Sequence, residues 1–548
     1  MENKIIVEVE GLDKYIIDSG KTIYDLVTEN NLENVIAALV DNEAVELSYV
    51  LKEDSRIKLI TTLDRYGANV YLNGLKFLYI VAAKELFGRE TNVELKHSID
   101  KGIYTCIDKE LDENLVNAIK NKMLEIVSSD EKIEKISCAR KEAIEYYETM
   151  NELEKVETYK QMTSEVISLY SLLDYYDYFY SIMPVRTGIL KDFDLTLLED
   201  GAVVLRYPGM QTQEISPYTH LSEVLDVFKK YSKWSKKLNV TYVPDVNKII
   251  IEGRIREFIE LNEIKQNEAL NELANKIKDN INNIKLICIA GPSSSGKTTT
   301  SKKLALYLKS KGINPFIISV DNYFKNRVDT PKDEKGRYLF DTLEAIDVDL
   351  FNEDLVKLLN NEKVRLPEYN FLTGEREYKR EAVSLKERDV LIIEGIHVLN
   401  ENLTKKVNRE NKYKIYVSPF TPLALDRHNH VSTVDLRLIR LLVRDYRTRG
   451  RSGLDILKGW GQVRDSEEKY IFPYQKEADT VLNTALIYEI GMLKTYAEPI
   501  LKSIKSDSEY YAESLRIINF LNNFLNIPED YLPAASILRE FVGSGYFE

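Results

Sequence analysis

The second half of the chain reads as α/β, a parallel sheet flanked by helices, and three apolar runs that each end in a glycine or an acid carry that reading. The first, Lys285 to Ala290, enters Gly291-Pro-Ser-Ser-Ser-Gly296-Lys297-Thr298 and then a helical pattern, with Leu304 and Leu308 one turn apart and Gly312 placed to stop it. The second, Pro315 to Val320, ends in Asp321. The third, Asp389 to Ile393, ends in Glu394-Gly395. Short apolar runs alternating with helical patterns are strands buried on both faces of a parallel sheet.

The first run carries the most chemistry. Strand, G-x-x-x-x-G-K-[ST] and helix, in that order, form a phosphate-binding loop. Gly291 and Gly296 let the backbone turn its N–H groups inward, so Ser293, Ser294, Ser295 and Thr299 belong to the ATP-binding set. The helix N-terminus adds its positive end, Lys297 adds a charge, and the Thr298 hydroxyl is a ligand for Mg²⁺. At the carboxyl end of the second strand, Asp321 is placed near the γ-phosphate, where a carboxylate takes a proton from a hydroxyl or touches Mg²⁺; a helix-capping aspartate is the plain alternative. Glu394 ends its strand as a carboxylate able to hold Mg²⁺ through water. The segment 435–452 (DLRLIRLLVRDYRTRGRS) concentrates Arg437, Arg440, Arg444, Arg447, Arg449 and Arg451 in an acidic protein. Guanidinium groups stabilise the charge that phosphoryl transfer spreads over three oxygens. A solvated basic face is the alternative.

At 548 residues the chain is too long for one core. Five segments are expected: 1–63, 64–235, 236–284, 285–482 and 483–548. A net charge of −13 argues against a general nucleic-acid coat or a binder of anionic membranes. Cys106, Cys138 and Cys288 stand far apart with no C-x-x-C, which fits a reducing cytosol and no thiolate metal site. The start MENKIIVEVEG shows no leader pattern and Lys76 and Lys84 interrupt the best apolar stretch, so a cytoplasmic protein without a membrane partner is expected.

Residues 1–63 read as β-rich, with alternation in Lys4 to Val9, a short helix at Thr22 to Val27 and a closing strand at Arg56 to Ile60. The stretches IIVEVEGLDKYIIDSGKTIYDLV and AALVDNEAVELSYVLKEDSRIKLIT resemble a TGS domain, the β-grasp module at the front of threonyl-tRNA synthetases. Residues 64–235, from NGLKFLYIVAAKELFG through DYFYSIMPVRTG, resemble the α+β editing-type domain that follows TGS in that family. The four site positions of that family fall on Asn73, Phe77, Phe179 and Met183, none of which can ligate zinc or act as a base. The resemblance therefore implies a fold without its hydrolytic chemistry, and leaves a tRNA or nucleotide effector as a partner of these units. The run Tyr175, Tyr176, Tyr178, Phe179, Tyr180 is either a base-stacking surface or a strand with one face in the core. From 236 to 284 the chain reads as a helical connector, with Leu270, Leu273, Ile277 and Ile281 forming a stripe that packs on the next domain.

GPSSSGKTTT, SVDNYF, RYLFDTLEAID, PEYNF, LIIEGIH and RDYRTRGRS, in order between 285 and 482, resemble the uridine kinase and phosphoribulokinase group of P-loop kinases. That resemblance implies ATP-dependent phosphorylation of a nucleoside 5′-hydroxyl, uridine or cytidine, with Mg²⁺ shared by Thr298, Asp321 and Glu394. It makes Asp321 the general base, Asp341 the ribose ligand and Tyr369 the residue near the base, with Tyr323 and Arg440 also on the substrate side. Arg444, Arg449 and Arg451 become the phosphate-facing residues of a lid. Two positions depart from the family: Gly374 stands where a pyrimidine-reaching His is usual, and Leu441 where the second of two arginines is usual. Another small hydroxyl acceptor is therefore a second expectation, and a regulatory RNA- or nucleotide-sensing protein a third. Residues 483–548 read as two helices joined at Lys505-Ser-Asp-Ser, packed as a hairpin. The tail from Ile537 to Glu548 has no assigned chemistry and is expected to dock on the kinase segment or on a second copy of the chain.

Overall fold

The computed structural model describes residues 4–547 except 13, 210, 211, 335, 387 and 388. The apolar runs of the second half become one five-stranded sheet in which every neighbouring pair is parallel. Its order is Asn314–Ser319, Asp389–Glu394, Leu286–Ala290, Lys412–Ser418, Thr480–Asn483. Alternation along the central strand divides two cores. Ile287 and Ile289 face the phosphate-loop helix Lys297–Ser310 and the long helix Ile255–Asp279, whose Leu270, Leu273, Ala274 and Ile277 are buried there. Leu286, Cys288 and Ala290 face the helix Val348–Leu359 together with Val224 and Phe228. Those last two belong to the helix Ser222–Lys237, which runs through the boundary expected at 235/236. The stripe expected to pack does so, because its apolar side chains meet a sheet face that would otherwise be wet.

The front of the chain holds a mixed five-stranded sheet. Lys4–Val9 pairs antiparallel with Lys14–Asp18 and parallel with Ser55–Thr61, and the helix Ile23–Glu29 starts at a capping box between Thr22 and Asp25. Next come the helix Arg65–Phe87, a four-stranded sheet and a three-stranded sheet. Phe77, Phe179 and Met183 share one apolar core there, with the two rings 5.6 Å apart. No member of the Tyr175–Tyr180 run is exposed, since Tyr175–Asp177 is a paired strand and Phe179 is buried.

The arginine-rich segment is the helix Thr433–Arg449, which packs with Glu489–Lys502, Tyr511–Leu521 and the helix Val243–Ile251 in a third core. Leu436 to Val443 are all buried, so the first part of the segment is interior structure, whereas Arg447 and Arg449 at its end are exposed. The helices Glu489–Lys502 and Tyr511–Leu521 also pack on each other. None of the helices among the described residues is long and apolar enough to cross a membrane.

Candidate active site

Strand register brings the site together. Ser319 lies opposite Glu394, and Glu394 opposite Ile289, so all three strands end at one level. The phosphate loop begins just past one strand, Asp321 stands two residues past another in the short 3₁₀ turn Val320–Tyr323, and Glu394 closes the third.

The loop is held from behind by its carbonyls. Arg437 Nε donates to Ser293 O at 2.9 Å, Arg440 Nη1 to Ser294 O at 3.4 Å, and Thr484 Oγ1 to Ser295 O at 2.7 Å. Lys297 Nζ donates to Pro292 O at 3.0 Å. With three successive carbonyls held from outside the loop, and φ of 60° at Ser294 and 87° at Gly296, the backbone forms a concave array of amides suited to an anion. Gly291 has no room for a side chain: a Cβ there would meet Val417 O at 2.1 Å.

Charges gather in front of this array. Burial pushes the Asp321 carboxyl above its ordinary value, opposed by Lys297, Arg449 and Arg444. Glu394 is pushed up to about 7 by burial and by Asp321. Asp341 is pushed up to about 7 by burial, Glu467 and Asp321. Burial draws Lys297 down, and Glu394 and Asp321 resist. Two mutually repelling carboxylates, Asp321 and Glu394, fit Mg²⁺, which takes one or two carboxylates plus substrate phosphate oxygens. No cluster of three or more His, Cys, Asp or Glu able to hold a metal occurs among the described residues.

The arginines divide. Arg444, Arg449 and Arg451 all reach the fully buried Asp445, at 2.8, 3.4 and 3.3 Å. One interior carboxylate thus gathers three guanidiniums whose side chains are partly exposed. Arg440 is a correction: it is 0% exposed, and it binds Glu489 Oε2 and Thr484 O as well as the loop. It braces the loop and has no open face for a substrate. Tyr323 is a second correction, since its hydroxyl donates to Asp354 Oδ2 at 3.1 Å and its ring packs edge-on against Phe351 inside the core.

Tyr369 is buried in the same core as Tyr323, with its hydroxyl lacking a hydrogen bond. It packs against Phe324 and Phe371, with centroids 5.5 and 5.1 Å away, and the Arg449 guanidinium lies 5.6 Å from the Phe371 ring. Gly374 has φ of 77°, and a Cβ there would meet the Arg327 side chain at 2.8 Å. The position that departs from the family pattern is thus filled by a guanidinium from elsewhere.

Three residues escaped the sequence reading. Glu467, 1% exposed, accepts from Ser293 N at 3.2 Å and pairs with Arg437 and Arg464. His397, 2% exposed, lies by the Asp341 main chain, and burial draws it down to about 4, opposed by that main chain. Its place three residues past Glu394 was the available signal. Glu540 accepts from the Thr299 amide at 3.1 Å and had no local signal at all.

The family model described as "Phosphoribulokinase / Uridine kinase family" matches residues 286–487. The uridine kinase of Anoxybacillus flavithermus (strain DSM 21510 / WK1) is 30% identical over 198 residues, covering 36% of this chain and 84% of that protein. The uridine kinase of Bacillus pumilus (strain SAFR-032) is 31% identical over 198 residues, covering 36% and 85%. That of Staphylococcus haemolyticus (strain JCSC1435) is 31% identical over 201 residues, covering 36% and 87%.

Proposed function

The chain belongs to the phosphoribulokinase / uridine kinase family, and on that premise we propose that it transfers the γ-phosphoryl group of ATP to the 5′-hydroxyl of a nucleoside, uridine or cytidine. The observation that carries the reading is Asp321, two residues past the strand end that lies opposite Glu394, and within the field of Lys297, Arg444 and Arg449.

Lys297 and the loop amides hold the β- and γ-phosphates, and Arg451 supports the donor side. Asp321 accepts the 5′-hydroxyl proton as the 5′-oxygen bonds to the γ-phosphorus and the bond to the bridging oxygen of ADP breaks. A carboxyl raised above its usual range is the stronger base for that step. Arg444 and Arg449 stabilise the charge on the phosphoryl group in flight. Asp341 accepts from the ribose hydroxyls, and Tyr369 lines the far wall. Thr298, Asp321 and Glu394 would hold Mg²⁺, which when bound neutralises charge on the phosphate oxygens.

Asp321→Asn is expected to lower kcat by about 10²- to 10⁴-fold with little change in ATP affinity. A coupled assay with uridine, cytidine and sugar phosphates measures it, and unimpaired turnover in the variant removes the mechanism. A second reading, phosphorylation of a different small hydroxyl compound, is favoured by Arg327 filling the space at Gly374. Turnover of a sugar phosphate but not of uridine in the same assay selects it.

For the front units we keep the TGS-like and synthetase-like assignments. The parallel pairing of the first and last strands of the first sheet supports the former. The apolar fill at Phe77, Phe179 and Met183 supports a second unit without hydrolytic chemistry.

A further inference from the structure

The carboxyl-terminal segment closes over the phosphate loop. Ile537, Leu538, Phe541 and Val542 are buried in the core around the arginine-rich helix. The Phe541 ring lies 4.9 Å from the Arg440 guanidinium, and Arg447 Nε donates to Phe541 O at 3.1 Å. Ile537 sits against Gly296, where a Cβ would meet it at 2.8 Å. So anchored, the segment brings two acceptors to the first two turns of the phosphate-loop helix. Thr299 N donates to Glu540 Oε2 at 3.1 Å, and Lys302 Nζ donates to Phe547 O. Between segment and helix lies a cavity of about 330 Å³, lined by Thr298, Thr299, Lys302, Arg447, Ser536 and Phe547 among others.

An amide in the first turn of this helix is a donor for a nucleotide phosphate. A carboxylate bound to it is one anion in the seat of another. The loop's other acidic partner, Glu467, differs: it is almost fully buried and pinned by Arg437 and Arg464. Glu540 is only partly buried and has no ion-pair partner among the described residues, so its side chain swings away at little cost while the apolar anchors stay in place. Its field also reaches inward, where it opposes the lowering of Lys297 and adds to the raising of Glu394.

We propose that the segment Ser536–Phe547 is a working part of the donor-nucleotide site: in the empty protein Glu540 holds the Thr299 amide, and the nucleotide enters the adjoining cavity by displacing that side chain. The proposal rests on nucleotide phosphates binding at 291–299 and is independent of the acceptor. Titration calorimetry of the full chain with ATP·Mg²⁺ and with inorganic tripolyphosphate tests it. Glu540→Gln and Glu540→Ala are expected to bind both ligands on the order of tenfold tighter, the size of one lost charge-assisted hydrogen bond. In the unaltered protein, hydrogen exchange across 543–547, which follows the apolar anchors and lines the cavity, is expected to rise when either ligand is added. Unchanged or weaker affinity in variants that melt like the parent overturns the proposal, as does exchange that either ligand leaves untouched. Failure of the parent and both variants to bind either ligand overturns the nucleotide site itself, a different result from equal affinities.

Discussion

Replacing Arg440 by methionine separates a brace from a substrate contact. The guanidinium is 0% exposed and pairs with Glu489, itself 1% exposed, through Nε at 2.8 Å and Nη2 at 2.6 Å. Removing it leaves a buried carboxylate whose remaining bond is the Leu486 amide at 3.2 Å. An uncompensated buried charge costs about 3–5 kcal/mol. Glu489→Gln in the same chain removes the charge, and the double variant is expected to recover to within about 1–3 kcal/mol of the parent. Urea unfolding read by tryptophan fluorescence suits the measurement, because one of the two tryptophans, Trp460, lies in this core with the Arg437 guanidinium 5.5 Å from its ring. Burial already pushes the Glu489 carboxyl above 4.5, and Arg440 opposes it. Without Arg440 the folded-state value rises further, so the folded protein holds a proton that the unfolded chain releases. Stability from that proton is full below about pH 4.5 and is lost as pH climbs through the raised value. The single variant is therefore expected to lose more stability at pH 8 than at pH 5.5. A variant with the parent's urea midpoint and a raised acceptor KM would put Arg440 back in the substrate site. A double variant as unstable as the single one would show that Glu489 is not the cause.

Asp341, pushed up to about 7, must be ionised to accept from a ribose hydroxyl, so acceptor KM is expected to fall about tenfold between pH 6 and pH 8. Asp341→Asn should raise KM and flatten that profile. Because its folded value lies above 3.8, the group stabilises the empty protein below about pH 4, and that contribution is lost through about pH 7. Thermal melting should show the Asp341-dependent part shrinking from pH 5 to pH 8, and an unchanged slope in the variant would count against the placement. Gly291→Ala puts a Cβ 2.1 Å from Val417 O and 2.6 Å from Ser295 Oγ, so the loop must shift. Its ATP affinity should drop at least about tenfold, and parental affinity by calorimetry would contradict the close approach.

The parallel sheet was legible because β-branched runs of strand length have few other uses, and the acids ending them are where the register puts the crevice. Glu394 lies within its strand's last position, and Asn314–Ser319 starts and stops one residue before the run Pro315 to Val320. What residue identity does not carry is which charges turn inward. Nothing near Arg437 and Arg440 in sequence signalled a buried brace, because their partners Glu467 and Glu489 are 30 and 49 positions away. Their spacing of three, followed by four to Arg444, was a usable hint that all share one helix face. Tyr323 follows Asp321 by two residues, yet a 3₁₀ turn sends its ring to the opposite side. Glu540 meets Thr299 across 241 positions, a distance over which no local pattern speaks.

The short hairpin Ala424–Asp426 and Asn429–His430, which immediately precedes the arginine-rich helix, reaches into the front half of the chain. His428 Nδ1 lies 2.8 Å from Lys155 Nζ and 2.5 Å from Asp177 Oδ2, Arg427 grips Glu154, and Leu95 N donates to Arg427 O. Ala512 of the carboxyl-terminal hairpin is likewise part of the front core. The catalytic third of the chain is therefore not a detachable cassette. Excising residues 1–235 would strip the hydrogen-bond partners from His428 and Arg427 and bare an apolar flank, so gene fusions and truncations that treat the family-matching stretch as a portable enzyme should yield insoluble protein.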